Sequence, residues 1–151
     1  MHLDTQFSIF MVNKPGILAQ LLNVLAAEKV NIVAMTMMDS VEHGVMRLVG
    51  SGTAKIREIL QKQNVQFSEA QVLCVNLPNH VGAFADVTNK LSKAHINISY
   101  AYCTAGARGG RTTAVLKVAD VKKAMKVLEG QADTQNKKTK KSVRRNPASR
   151  K

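Results

Sequence analysis

The sequence holds only two cysteines, Cys74 and Cys103, and they form no CxxC pair. A disulfide framework or a thiolate zinc site needs more cysteines or closer ones, so neither is expected. His2, His43, His80 and His95 have no metal-ligand spacing to one another, and no cysteine is placed to complete a set. We therefore expect no metal and no cofactor. Phosphate loops of the GxxxxGK[ST] type are absent. No order of serine or cysteine with histidine and aspartate suggests a nucleophile, so an enzyme is not expected. No run approaches the ~20 apolar residues of a membrane span. The opening "MHLDTQFSIF" has neither the basic segment nor the apolar stretch of a signal peptide. A soluble cytoplasmic protein is expected.

Acidic residues are missing from one place in particular. The stretch "KKTKKSVRRNPASRK" (137–151) holds eight of the 22 Lys/Arg and none of the ten Asp/Glu, which leaves a net of only +4 over 1–136. The whole-chain charge of +12 thus belongs largely to a tail. With no aromatic or bulky apolar content to bury, residues 131–151 are expected to be disordered. Such a basic block can contact nucleic acid or another polyanion electrostatically, without aromatic rings to read bases.

What is present is a repeat. "NKPGILAQLLNVLAAEKVNI" (13–32) and "NHVGAFADVTNKLSKAHINI" (79–98) superpose at a shift of 66 residues with seven identities: Asn13/Asn79, Gly16/Gly82, Ala19/Ala85, Asn23/Asn89, Leu25/Leu91, Asn31/Asn97 and Ile32/Ile98. A period this long marks two small domains rather than a solenoid turn. A domain of about 65 residues is only marginally able to bury enough surface alone, so pairing of the copies, and of chains, is expected.

"QFSIFMVN" (6–13) reads as a buried strand, and Pro15 and Gly16 introduce a helix whose face is Ile17, Leu18, Leu21, Leu22 and Leu25. Strands follow at 30–39 and 45–50 around a polar turn, then a helix at 53–63 with Thr53 as its cap, and a strand at 65–71. Met35 and Met37 share one face of the second strand, which suggests core packing. The order β-α-β-β-α-β is the ferredoxin-like arrangement. The second copy repeats it with strands at 72–78, 96–104 and 112–118 and helices at 80–94 and 120–130, and "AGARGGR" (105–111) forms a glycine-rich hairpin. After Gly130 no apolar run supplies a last strand. The expected fold class is α+β, with two ferredoxin-like repeats over 5–71 and 72–130, the second lacking a clear last strand. A disordered basic tail over 131–151 completes the chain. The open sheet edge of the second copy is left bare, filled by another chain, or covered by the first copy.

The repeated Asn-x-x-Gly stands at a strand-to-helix turn. The first N–H groups of a helix lack internal partners and carry partial positive charge, so a carboxylate can be held there. An Asn amide both donates and accepts. The pattern suits a small amino-acid pocket, and it equally suits a plain cap and turn.

The motif Asn-x-Pro-Gly-x-Leu, as "NKPGIL" and more weakly as "NHVGAF", followed by an apolar helix face and "NI", resembles the ACT domain. "MDSVEHGVMRLVGSG" (38–52) and "INISYAYC" (96–103) resemble the small tandem ACT proteins without a catalytic domain, and the likeness covers about 5–130. It implies a non-catalytic regulator that binds an amino-acid-like ligand between paired domains and forms a homodimer. It implies contacts from Asn13, Gly16, Ile17 and Leu18 in the first loop and Asn79, Gly82, Ala83 and Phe84 in the second. Second-strand contacts would come from Ile32, Ala34 and Met35, and from Ile98, Tyr100 and Tyr102. The alternative is a polyanion-binding protein acting through 137–151, with the ACT pair serving only to dimerise.

Overall fold

A computed structural model of the chain describes residues 1–38, 43–104 and 112–130. The 105–111 hairpin and the 131–151 tail lie outside them. The elements are β1 (His2–Val12), α1 (Ile17–Ala27), β2 (Ile32–Met38), β3 (His43–Gly50), α2 (Thr53–Lys62), β4 (Phe67–Leu77), α3 (Ala83–Lys93), β5 (Ile98–Cys103), β6 (Thr112–Val118) and α4 (Val121–Glu129). The first copy thus has the β-α-β-β-α-β order read from sequence. Thr53 is not the cap of α2: it is the first helical residue, and Gly52 caps in the left-handed conformation without a side-chain bond.

The strands form one sheet in the order β2-β3-β1-β4-β6-β5. Under the 66-residue shift this order maps onto itself reversed, so the two copies meet at the β1–β4 ladder. The ladder is antiparallel and pairs Thr5 with Gln71 at its centre, positions that the shift itself relates. β4 runs unbroken through residues 71 and 72, where two strands were expected end to end. Its first half pairs only with β1, and its second half also pairs with β6.

The missing last strand of the second copy is supplied by the first. His2, Leu3 and Asp4 pair with Cys74, Leu73 and Val72, alongside the half of β4 that β6 borders on its other side. β1 therefore begins four residues earlier than the apolar run suggests, because "HLDT" is held by its partner strand rather than by its own hydrophobicity.

All four helices cover one face of the sheet. Phe7, Ile9, Met46 and Leu48 pack with Leu21, Leu25, Ile56 and Leu60 in one core, and Leu73, Val75, Ala114 and Leu116 pack with Val87, Leu91, Ala124 and Leu128 in another. Cross-strand partners share a face, and Leu3 is paired with Leu73. The alternation from Leu3 to Phe7 and Ile9 therefore joins the two cores on the same side.

The helix ends repeat too. Lys29 and His95 both adopt positive φ, at 56° and 54°. The next N–H returns to the helix in each copy, Val30 to Leu25 and Ile96 to Leu91, both at 2.9 Å. This is the left-handed C-terminal cap that satisfies the last carbonyls.

Met35 and Met37 are not core residues, contrary to the sequence reading. They stay 39% and 41% exposed, because β2 is the edge of the sheet among the described residues.

Candidate functional site

The two strand-to-helix loops are the same structure built twice. Lys14 N–H donates to the Val12 carbonyl at 2.9 Å, Ile17 N–H to Lys14 at 3.4 Å, and Gln20 N–H to Gly16 at 2.9 Å. At the shifted positions His80 donates to Pro78 at 3.0 Å, Ala83 to His80 at 3.3 Å, and Asp86 to Gly82 at 2.9 Å. Val81 therefore gives the turn that Pro15 gives. Gly16 and Gly82 stand at φ 89° and 86° as helix caps, and as glycines they supply no side-chain cap bond themselves. Their reason for being glycine is conformational: a Cβ at either position would meet nothing within 4 Å. The space beside each glycine is open, and the helix N-terminus follows directly.

Beside each loop is a cleft, and the two clefts are lined by equivalent residues. The first, of about 470 Å³, is lined by Phe10, Met11, Val12, Ile17, Gln20 and Leu21 together with the α2–β4 turn. The second, of about 490 Å³, is lined by Asn76, Leu77, Pro78, Ala83, Asp86 and Val87, with Met1 and the end of α4. Their chemistry differs. Gln20 and Gln63 in the first become Asp86 and Glu129 in the second, with Lys90 and His80 added. The His80 ring is engaged locally, its Nδ1 lying 2.9 Å from the Val81 carbonyl oxygen.

Of the residues nominated from sequence, Asn13, Gly16, Asn79 and Gly82 are exposed at the loops, Ile17, Leu18 and Phe84 are half-buried, and Ala83 is buried. Ile17 and Ala83 line the clefts. The two loops leave the C-terminal ends of β1 and β4, which are antiparallel, so they sit at opposite ends of the sheet. The second-strand candidates occupy opposite edges. Ile32 and Met35 are exposed on β2 with Ala34 buried between them, whereas Ile98, Tyr100 and Tyr102 are half-buried on β5. Among the described residues β4 and β6 stand between β1 and β5, and β1 and β3 stand between β4 and β2.

On the face without helices, Tyr100 and Tyr102 reach inward. Gln6 is fully buried; its Nε2 donates to the Tyr100 hydroxyl at 2.7 Å, and its Oε1 accepts from the Tyr102 hydroxyl at 3.1 Å. Arg47 lies over the Tyr100 ring with its guanidinium carbon 3.5 Å from the centroid, a cation–π contact. The Arg47 Nε is buried and meets no acceptor. Burial, reinforced by Tyr100, raises the Tyr102 hydroxyl well above the usual phenol range, so it stays a donor. Val49, Val72, Cys74 and Val115 are buried on this face with Tyr102 packed against them, and burial pushes the Cys74 thiol up to about 11.

The sequence reading named Tyr100 and Tyr102 but missed Gln6 and Arg47. The one signal for Gln6 was a lone amide opening an apolar strand. The juxtaposition of His2 and Asp4 with Cys74 was also hidden along the chain, because only the β1–β4 register creates it.

A family model for the ACT domain pair matches residues 2–139. No curated protein matches in sequence. Among solved structures the chain is similar to protein BT0572 from Bacteroides thetaiotaomicron, at 28% identity and a TM-score of 0.79 over 86% of this chain and 89% of that one. It is also similar to the ligand-free regulatory subunit of aspartate kinase from Thermus thermophilus, at 11% identity and a TM-score of 0.60 over 86% and 97% of the chains. A third likeness is to the regulatory subunit of aspartate kinase from Thermus flavus, at 14% identity and 0.55 over 85% and 93%. At these last two identities the likeness concerns the fold.

Proposed function

This chain belongs to the ACT domain pair family, and on that premise we propose that it is a non-catalytic regulator that binds a small amino-acid-like ligand between ACT domains. Its fold is that of regulatory subunits, including those of aspartate kinase. The ligand's carboxylate is held by the helix N-terminus behind Gly16 or Gly82, and its amino group by the Asn13 or Asn79 side of the loop. Among the described residues two strands separate the strand that leads into each loop from the second strand of the other copy, so a complete site takes a second chain.

The observation that carries this reading is the state of β2. Among the described residues it is an edge strand, and it leaves Ile32, Val33, Met35, Met37 and Met38 between 37% and 45% exposed. Unpaired edges and contiguous apolar surface are what proteins ordinarily cover. Side-by-side pairing through β2 covers both and sets the second strand of one chain beside a loop of the next.

The test is a thermal-shift screen of the twenty amino acids against the full chain. A ligand that binds only the folded state stabilises it by about 2.7 kcal/mol at a hundredfold excess over its Kd. Gly16→Ala and Gly82→Ala place a methyl group in the open space before each loop, and one of them should remove the shift. A shift that survives both substitutions would move the site elsewhere, and no shift with any amino acid would refute amino-acid sensing.

The basic stretch 137–151 supports a second reading, in which the tail binds a polyanion and the ACT pair only dimerises. Deleting it should then abolish nucleic-acid binding at low salt. Binding left intact would remove that reading.

A further inference from the structure

We propose that His2, Asp4 and Cys74 form a binding site for a divalent cation of the zinc class, with a fourth coordination position left open. One donor atom from each lies within 4.8 Å of the others. The β1–β4 register makes the site: His2 is paired with Cys74, and Asp4 stands two residues along β1 on the same face. That face carries no helix. The His2 side chain is 53% exposed and that of Asp4 23%, so an ion can enter from solvent onto the buried Cys74 below.

The His2–Asp4 separation suits a shared ion as well as a direct ion pair. Asp4 Oδ1 accepts a hydrogen bond from the Thr5 N–H at 2.8 Å, which fixes the carboxylate and leaves Oδ2 facing His2 Nε2 at 3.7 Å. That gap is too long for a hydrogen bond. It is close to the ~3.3–3.6 Å that separates neighbouring ligands around a tetrahedral zinc with bonds of ~2.0–2.3 Å. Thiolate, imidazole and carboxylate together suit a borderline ion, whereas calcium and magnesium prefer oxygen donors alone. Three protein ligands and an open position describe a site that exchanges a ligand, rather than a closed structural one.

The repeat supplies its own control. The 66-residue shift carries His2, Asp4 and Cys74 onto Ser68, Ala70 and Ser8, and Ser8 is paired with Ser68 in the same ladder. The backbone arrangement exists at both ends of the ladder, and one end alone carries ligand side chains. On binding, the ion takes the Cys74 sulfur as thiolate and the thiol proton leaves to solvent.

The experiment titrates the full chain, stripped with a chelator, with Co2+ as a spectroscopic probe and then with Zn2+. The expected result is one Co2+ per chain with a thiolate-to-cobalt charge-transfer band in the near ultraviolet, which Zn2+ then displaces. Cys74→Ser should remove the band and Cys103→Ser should keep it. His2→Ala and Asp4→Asn change solvent-facing positions, so they should keep the native circular dichroism while weakening Co2+ binding by at least about tenfold. The assignment is overturned if the unaltered chain gives no thiolate band, if Cys103→Ser abolishes it, or if His2→Ala and Asp4→Asn bind as the parent does.

Discussion

β2 and β5 occupy equivalent positions at opposite edges of one sheet, yet they finish differently. β2 exposes five large apolar side chains, and β5 exposes none of that kind. The residues responsible are equivalent under the shift: Val33, Met35 and Met37 in the first copy stand where Ser99, Ala101 and Cys103 stand in the second. On the helix-free face Ala34 and Thr36 stand where Tyr100 and Tyr102 stand. The tyrosines fold inward onto Gln6 and close the helix-free face. Alanine and threonine are too short to do this, and the first copy keeps an apolar edge. The clefts differ in the same spirit, neutral amides in one and charged groups in the other. The two copies share one backbone plan and differ in the side chains they set on it. The second copy closes the helix-free face, and the first leaves an exposed apolar edge.

The comparison breaks first where the copies are most alike. Leu25 and Leu91 are equivalent and almost fully buried, at 1% and 0% exposure. Replacing either with Ala should cost about 2–5 kcal/mol. Because the β1–β4 ladder joins the copies, both substitutions should lower one shared urea transition. Two separate transitions would show that the copies fold independently.

The tyrosine layer comes next. Gln6→Val installs the residue that the second copy has at the equivalent position, Val72, and leaves two buried hydroxyls without their partner. Destabilisation of about 1–3 kcal/mol by urea unfolding is expected. A neutral result would mean that water replaces the amide and that the layer does not hold the face closed.

The smallest effect lies at the helix ends. Lys29→Gly and His95→Gly relieve a positive φ in a non-glycine residue and should each raise stability by up to about 1 kcal/mol, measured the same way. Unequal gains would show that one cap is supported by contacts that the other lacks.

Much of this fold was legible because helix faces and strand-to-helix turns are local signals. The spacing of Ile17, Leu18, Leu21 and Leu25, and the Gly16/Gly82 repeat, led to the β-α-β-β-α-β order directly. The errors arose where the outcome depends on a distant strand. "HLDT" has no apolar pattern and becomes a strand only because β4 lies beside it. Met35 and Met37 alternate as core residues do, but sheet order put their strand at an edge. Gln6 is buried by tyrosines 94 and 96 residues away. The same holds for the candidate site. The loops were visible as a repeated motif, while the geometry of the second strands depends on which edges remain open.

The account rests on β2 as the surface that receives a second chain, and one measurement tests it most directly. Met35 and Ala101 are equivalent positions on the two edges, so sedimentation of the parent, Met35→Lys and Ala101→Lys at the same concentration compares them with the backbone held constant. The account predicts a dimer for the parent and for Ala101→Lys, and a monomer for Met35→Lys. A monomeric parent, or equal dissociation by both substitutions, would contradict it.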